Sequence, residues 1–245
     1  MNEIPSRAKL FIITMLFAAA LVAMYAMLDI HPWHHYQFAS LFALALIASR
    51  LKVKLPGLNG NMSVNLPFIL IAQAQLSPAE ALAIACASTF VQCLPKSGSK
   101  VKPVQVLFNI ATMAIAVQAG CMVFHSGQHL GVISSATSLL GLAALVFFVA
   151  NTLPVAGVIS LSDGPRVLRT WSEIFHLSFP YYVASAGITS MVTTASRYVG
   201  WEIPLVVLPV MYAIYRSYQR YFSRIELAPR VHAVVANESC SLREA

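Results

Sequence analysis

The chain has 245 residues, of which 58% are hydrophobic and only 10% charged, with a mean hydropathy of +0.71 and a net charge of +7. That balance excludes an ordinary soluble domain and implies an integral membrane protein, with no room for a separate soluble domain once the apolar runs are counted. The positive charge does not point to nucleic acid, because the basic residues sit in short clusters beside apolar runs and not on a polar folded face.

Arg7 and Lys9 precede an apolar run from Leu10 to Leu28. It is too long for a signal-peptide core and lacks a small-x-small cleavage site, so it reads as the first span. The second run, Trp33 to Ser49, opens on the aromatic anchors Trp33 and Tyr36 and closes on Arg50, Lys52 and Lys54. Further runs cover Asn61 to Leu76, Pro78 to Leu94, Pro103 to Phe124, Ile133 to Ile159, Trp171 to Thr194 and Ile203 to Phe222. The expected fold is all-α: a polytopic transmembrane helical bundle of about eight spans over residues 1–226, with a short polar cytoplasmic tail over 227–245. Crossing the hydrocarbon takes about 20 residues, and runs two to four are shorter, so the central third should hold short or broken helices. Pro67 and the entry Gly57-Leu58-Asn59-Gly60 favour an offset helix in the third run, and six full spans plus a re-entrant pair is the rival count.

Threading the loops alternately sorts the charges. Arg7, Lys9, Arg50, Lys52, Lys54, Lys96, Lys100, Lys102, Arg166, Arg169, Arg216, Arg220, Arg224, Arg230 and Arg243 share one side, and only Arg197 falls opposite. The positive-inside rule then puts both termini in the cytoplasm. Asp29, Glu80 and Glu202 fall on the outer side.

The middle third carries carboxamides inside its apolar runs: Asn65, Gln73, Gln75, Gln92, Gln105, Asn109 and Gln118. Turned unpaired to hydrocarbon, each would cost several kcal/mol, so they must face one another, water or a ligand. Asn65, Gln92, Gln105 and Asn109 come from three adjacent runs and form the candidate ligand-binding set. The alternative is interhelical hydrogen bonding, worth roughly 0.6 to 2 kcal/mol per bond in membranes. Histidines gather on the outer side, with His31, His34 and His35 at i, i+3, i+4 and His125 and His129 at i, i+4. Such spacing can face imidazoles together for a transition metal, haem iron or a pH response. The plain alternative is interfacial residues at helix ends. Glu173 and His176 open the seventh run within reach of the headgroup layer. Cys86, Cys93, Cys121 and Cys240 have no metal-ligand or disulfide spacing and read as packing residues, apart from Cys240 in the tail. No HExxH, GxSxG, phosphate loop or embedded carboxylate pair is present, so no enzymatic activity is expected.

The stretches LPGLNGNMSVNLPFILIA from Leu55, EALAIACASTFVQC from Glu80, KPVQVLFNIATMAIA from Lys102 and MYAIYRSYQRYFSRIE from Met211 carry a resemblance. Over residues 10 to 226 the chain resembles the multi-spanning N-terminal membrane domain that precedes HD-GYP phosphodiesterase or GGDEF cyclase domains in bacterial cyclic-di-GMP signalling proteins. More distantly it is similar to the substrate-binding subunits of energy-coupling-factor vitamin transporters. The resemblance implies a non-enzymatic sensory or ligand-binding protein of the bacterial inner membrane. Its expected contacts are membrane lipids, a small-molecule ligand and a cytoplasmic signalling or membrane protein partner, and not nucleic acid. Pro229 and a polar tail follow where such proteins continue into a coil and enzymatic domain, so output through a partner is expected. The alternative functions are a small-molecule transporter or its substrate-binding subunit, and a structural subunit of a membrane complex.

Overall fold

The fold is that of a computed structural model describing residues 5–28, 35–54, 61–95, 102–130, 135–164, 166–200 and 202–221. Its helices are α1 (Ser6–Leu28), α2 (His35–Ser49), α3 (Leu66–Gln75), α4 (Pro78–Cys93), α5 (Pro103–Leu130), α6 (Ala136–Asp163), α7 (Val167–Val199) and α8 (204–221). A short antiparallel ribbon of β1 (Lys52–Lys54) and β2 (Asn61–Ser63) lies between α2 and α3. The architecture is the all-α helical bundle expected from the apolar runs, and the ribbon is the part that the run pattern did not foresee. Of the described helices, α1, α5 and α6 are long and apolar enough to cross a membrane by themselves.

Proline marks beginnings here. Pro67, Pro78 and Pro103 each stand in the first turn of a helix, where a missing N–H removes a donor that has no intrahelical partner anyway. Pro67 therefore opens α3 after the ribbon and does not break a longer helix. α4 is started by a complete capping box. The Ser77 hydroxyl accepts from the Glu80 N–H at 3.3 Å, and the Glu80 carboxylate accepts from the Ser77 N–H at 3.0 Å. α6 ends at Gly164, whose φ of 84° is the left-handed cap that glycine adopts without strain.

Side-chain contacts fix the helix directions. The Phe11 and Phe108 rings, 6.3 Å apart, join the starts of α1 and α5. Gln37 donates to Gln75 at 2.7 Å, which brings the start of α2 to the end of α3. Gln75 in turn reaches Ser196 near the end of α7 at 3.4 Å. Lys52 Nζ donates to the Leu94 carbonyl at 2.6 Å, so the ribbon sits at the end of α4. Asn65 and Ser88, bonded at 3.1 Å, show α3 and α4 folding back on each other around Leu76 and Ser77. Successive helices thus alternate. The exposed Arg7, Lys9, Arg50, Lys102, Arg166 and Arg169 share one end, the basic end.

α3 is the centre of the bundle. It is apolar all round, as a fully enclosed helix must be, and every residue from Leu66 to Gln73 is buried. Leu41, Ile84, Val117, Phe147, Tyr181 and Met211, contributed by six other helices, pack with it in one core. At 10 residues it is about 15 Å long, half of a bilayer's hydrocarbon thickness. α1 is the opposite case. Leu10 is 67% exposed and Phe17 65%, a continuous apolar face that water would penalise and acyl chains would not.

Candidate functional site

The bundle holds three polar levels, and they differ in what is left for a ligand. The first surrounds the start of α3. A helix leaves its first N–H groups without intrahelical partners, which in a dry core must be met from elsewhere. Phe68 and Ile69 donate to the Asn65 carbonyl at 3.1 and 3.3 Å, and Pro67 has no N–H. The Leu66 N–H donates to the hydroxyl of Tyr181 on α7 at 3.3 Å, and that hydroxyl donates onward to the Ser63 carbonyl at 3.1 Å. The Asn65 carboxamide accepts from the Ser63 hydroxyl at 2.5 Å and donates to Ser88 at 3.1 Å. Ser88 finishes on its own helix at the Ala85 carbonyl, 3.1 Å away. One branch of these bonds ends at the Ser63 carbonyl and the other at the Ala85 carbonyl, and together they tie α3 to α4 and α7.

The second level lies near the other end of α3. Gln73 is buried, and its amide donates to the Val117 carbonyl on α5 at 2.7 Å. Glycine at 120 makes this approach available, because a Cβ there would stand 2.5 Å from the Gln73 amide nitrogen. The Gln73 backbone carbonyl, orphaned at the end of a helix, is met by His125 Nε2 at 3.1 Å. The amide oxygens of Gln73 and Gln118 are buried without a hydrogen-bond partner.

The third level is a cleft. The ends of α2, α3, α5, α6 and α7 opposite the basic end enclose about 550 Å³, within the usual range of small-molecule sites, about 300 to 1,000 Å³. Its polar lining is Gln37, Gln75, Gln128, Thr137, Thr193, Thr194 and Ser196, and Phe124 and Leu140 give it an apolar wall. Every lining side chain among the described residues is uncharged. Gln75 links the sides by accepting from Gln37 and donating to Ser196. Ser190 donates to Thr137 at 3.2 Å, tying α7 to α6 beside the cleft.

None of the four amides expected to form one pocket lines this cleft among the described residues. Asn65 belongs to the first level, around the start of α3. Asn109 is half-buried and donates to the Cys93 sulfur at 3.4 Å. Gln92 is half-buried in the last turns of α4, and Gln105 is exposed at the start of α5. None of them lines the cleft. Gln75, from the wider amide set, does line it, whereas Gln37, Gln128, Thr137 and Ser196 were not singled out. The one signal that groups them is topological: each is a polar residue at the same end of an apolar run.

Of the histidines, His31, His34 and the side chain of His129 lie outside the described residues. His35 is exposed and His125 holds the end of α3. Among the described residues no three His, Cys, Asp or Glu side chains converge as metal ligands would. Glu173 is exposed and pairs with Arg169 at 3.5 Å within one helix face, and His176 is exposed with its ring edge-on to Phe175. Cys86, Cys93 and Cys121 are free thiols, and Cys240 lies outside the described residues.

One family model, MASE9, matches residues 7–222. No curated protein and no solved structure matches the chain.

Proposed function

Because the chain belongs to the MASE9 family, a family of membrane-associated sensory-type domains, we propose that it is a non-enzymatic input domain of the bacterial inner membrane whose stimulus is a small molecule. The observation that carries this reading is the cleft of about 550 Å³ between five helix ends. Its other helices act as spans, and α3, about half the hydrocarbon thickness, folds back through α4 as a tight re-entrant hairpin inside them. The positive-inside rule turns the basic end and both termini to the cytoplasm, so the cleft opens to the periplasmic side. The exposed apolar face of α1 contacts lipid.

Signalling needs a part that takes two positions and is biased by the ligand. α7 is suited to this. Thr193, Thr194 and Ser196 line the cleft, and about three turns along the same helix Tyr181 touches both the start of α3 and the ring of Tyr218 on α8, 6.4 Å away. Pro180, inside α7, withdraws one backbone hydrogen bond beside Tyr181 and gives the helix a place to bend. A ligand that pulls on the end of α7 thereby shifts α8 at the basic end. The resemblance to input domains of cyclic-di-GMP signalling proteins makes that pathway the proposed recipient.

Native mass spectrometry of gently extracted protein tests the reading. The expected spectrum carries a small-molecule adduct that is lost in a Gln37→Leu/Gln75→Leu double variant that still folds. Bare wild-type protein, or an adduct indifferent to both substitutions, would refute it.

A further inference from the structure

The chemistry of the cleft lining limits what it can hold. Resting on the reading of the cleft as the ligand site, we propose that its ligand is a neutral molecule presenting an amide-type edge, a donor beside an acceptor, joined to a compact apolar body. Primary and cyclic amides, ureides and nucleobases are of this class.

Charge comes first. An ion moved from water into a partly enclosed site needs a countercharge or several aligned donors or acceptors to offset its lost hydration. Among the described residues the lining offers neither a cationic side chain for an anion nor a carboxylate for a cation. Carboxamides and hydroxyls remain, and each of these both donates and accepts.

Their existing bonds narrow the geometry further. Gln75 uses its oxygen on Gln37 at 2.7 Å and one amide hydrogen on Ser196 at 3.4 Å, the second bond being long for an N–H donor. Its second amide hydrogen is surplus by count, as are the hydroxyl hydrogen of Ser196 and the oxygen of Gln37. A ligand carbonyl placed between Gln75 and Ser196 takes two donors in place of the one long bond, and the N–H beside it finds an acceptor in Gln37. Phe124 and Leu140 then give an aromatic or aliphatic body a wall to lie on. A site built to satisfy an amide discriminates strongly against isosteres that leave its polar groups unpaired.

Three probes of similar size separate the cases: benzamide, benzoate and benzylammonium. Each is titrated against the full-length protein in nanodiscs, and binding is read from the rise in unfolding temperature and from saturation-transfer NMR. Benzamide is expected to bind saturably. Gln75→Leu should weaken it by about tenfold, the loss of a hydrogen-bonded pair in a partly enclosed site. Thr194→Val, at an exposed lining position, should weaken it by a few-fold in protein whose own melting is unchanged, which keeps the test sharp if Gln75→Leu fails to fold. Benzoate or benzylammonium binding in preference, with the same sensitivity to the two substitutions, would keep the cleft as the site and overturn the ligand class. No binding by any probe, or binding indifferent to both substitutions, would overturn the class and the site together.

Discussion

Replacing Tyr181 by Phe removes one oxygen and nothing else, and the structure says what that oxygen does. The ring stays within the core, where the side chain is 2% exposed and edge-on to Tyr182 and Tyr218. The loss is therefore polar and not a matter of packing. Two backbone groups are orphaned, the Leu66 N–H and the Ser63 carbonyl, at a depth where neither meets water. A buried group left without its partner costs about 1 to 3 kcal/mol, whereas interhelical hydrogen bonds in membranes average only about 0.6 kcal/mol because the disrupted state finds substitutes. Backbone groups at the start of a central helix have no substitute nearby, so the loss should fall near 2 to 4 kcal/mol. Tyr182→Phe is the control. It gives up a single bond, from the half-buried Asn151 at 2.8 Å, and should cost about 1 kcal/mol. Reversible unfolding in mixed dodecylmaltoside and dodecylsulfate micelles, followed by tryptophan fluorescence, measures both. A Tyr181→Phe loss no larger than that of Tyr182→Phe would mean that α7 does not hold the start of α3, and the proposed coupling from α7 to α8 through Tyr181 would lose its anchor.

The same titration checks the hairpin. Ser77→Ala removes the hydroxyl that caps the Glu80 N–H and bonds the fully buried Glu80 carboxylate, while the backbone N–H of residue 77 stays on that carboxylate, and should cost about 1 to 2 kcal/mol, with no measurable change counting against the cap. Asn65→Leu strands the hydroxyl hydrogen of Ser63, while Ser88 keeps its bond to the Ala85 carbonyl, and should cost about 1 to 3 kcal/mol; the exposed Gln105→Leu should stay within about 0.5 kcal/mol. Equal effects from the two would contradict their different surroundings. In a background without native cysteines, Gln128→Cys should react with an impermeant maleimide from the periplasm, and Lys102→Cys only after the membrane is opened. The reverse pattern would invert the topology.

Much of the bundle could be read from the sequence because lipid imposes few solutions on a backbone. Apolar runs separated by prolines and basic clusters become helices, since only helices and closed barrels satisfy their own polar groups in hydrocarbon. The even alternation of the basic clusters matches the alternating helix directions fixed by the Gln37–Gln75, Asn65–Ser88 and Lys52–Leu94 bonds. The short third run was legible as unusual, but its reason was not. Residues 61–63 pair as a strand with 52–54, and α3 begins only at Leu66. The polar–apolar alternation of Asn-Met-Ser-Val-Asn is the trace of that strand, but it is five residues long and does not name its partner, residues 52–54.

Which amides pack between helices and which line the cleft was harder, for a physical reason. Inside a membrane both must be satisfied, so both give the same sequence signal: a carboxamide in an apolar run. Depth separates them. Asn65 and Gln73 lie where helices press together on all sides, and their partners are Ser88 and a bared carbonyl of α5. Gln37, Gln75, Gln128 and Ser196 lie near helix ends, around the cleft. Polar residues at the ends of apolar runs are also what any interfacial anchor looks like, so the cleft hides among residues that need no explanation of their own. Only the register between helices, set by contacts as distant in sequence as Gln75 and Ser196, shows that these ordinary termini surround one space.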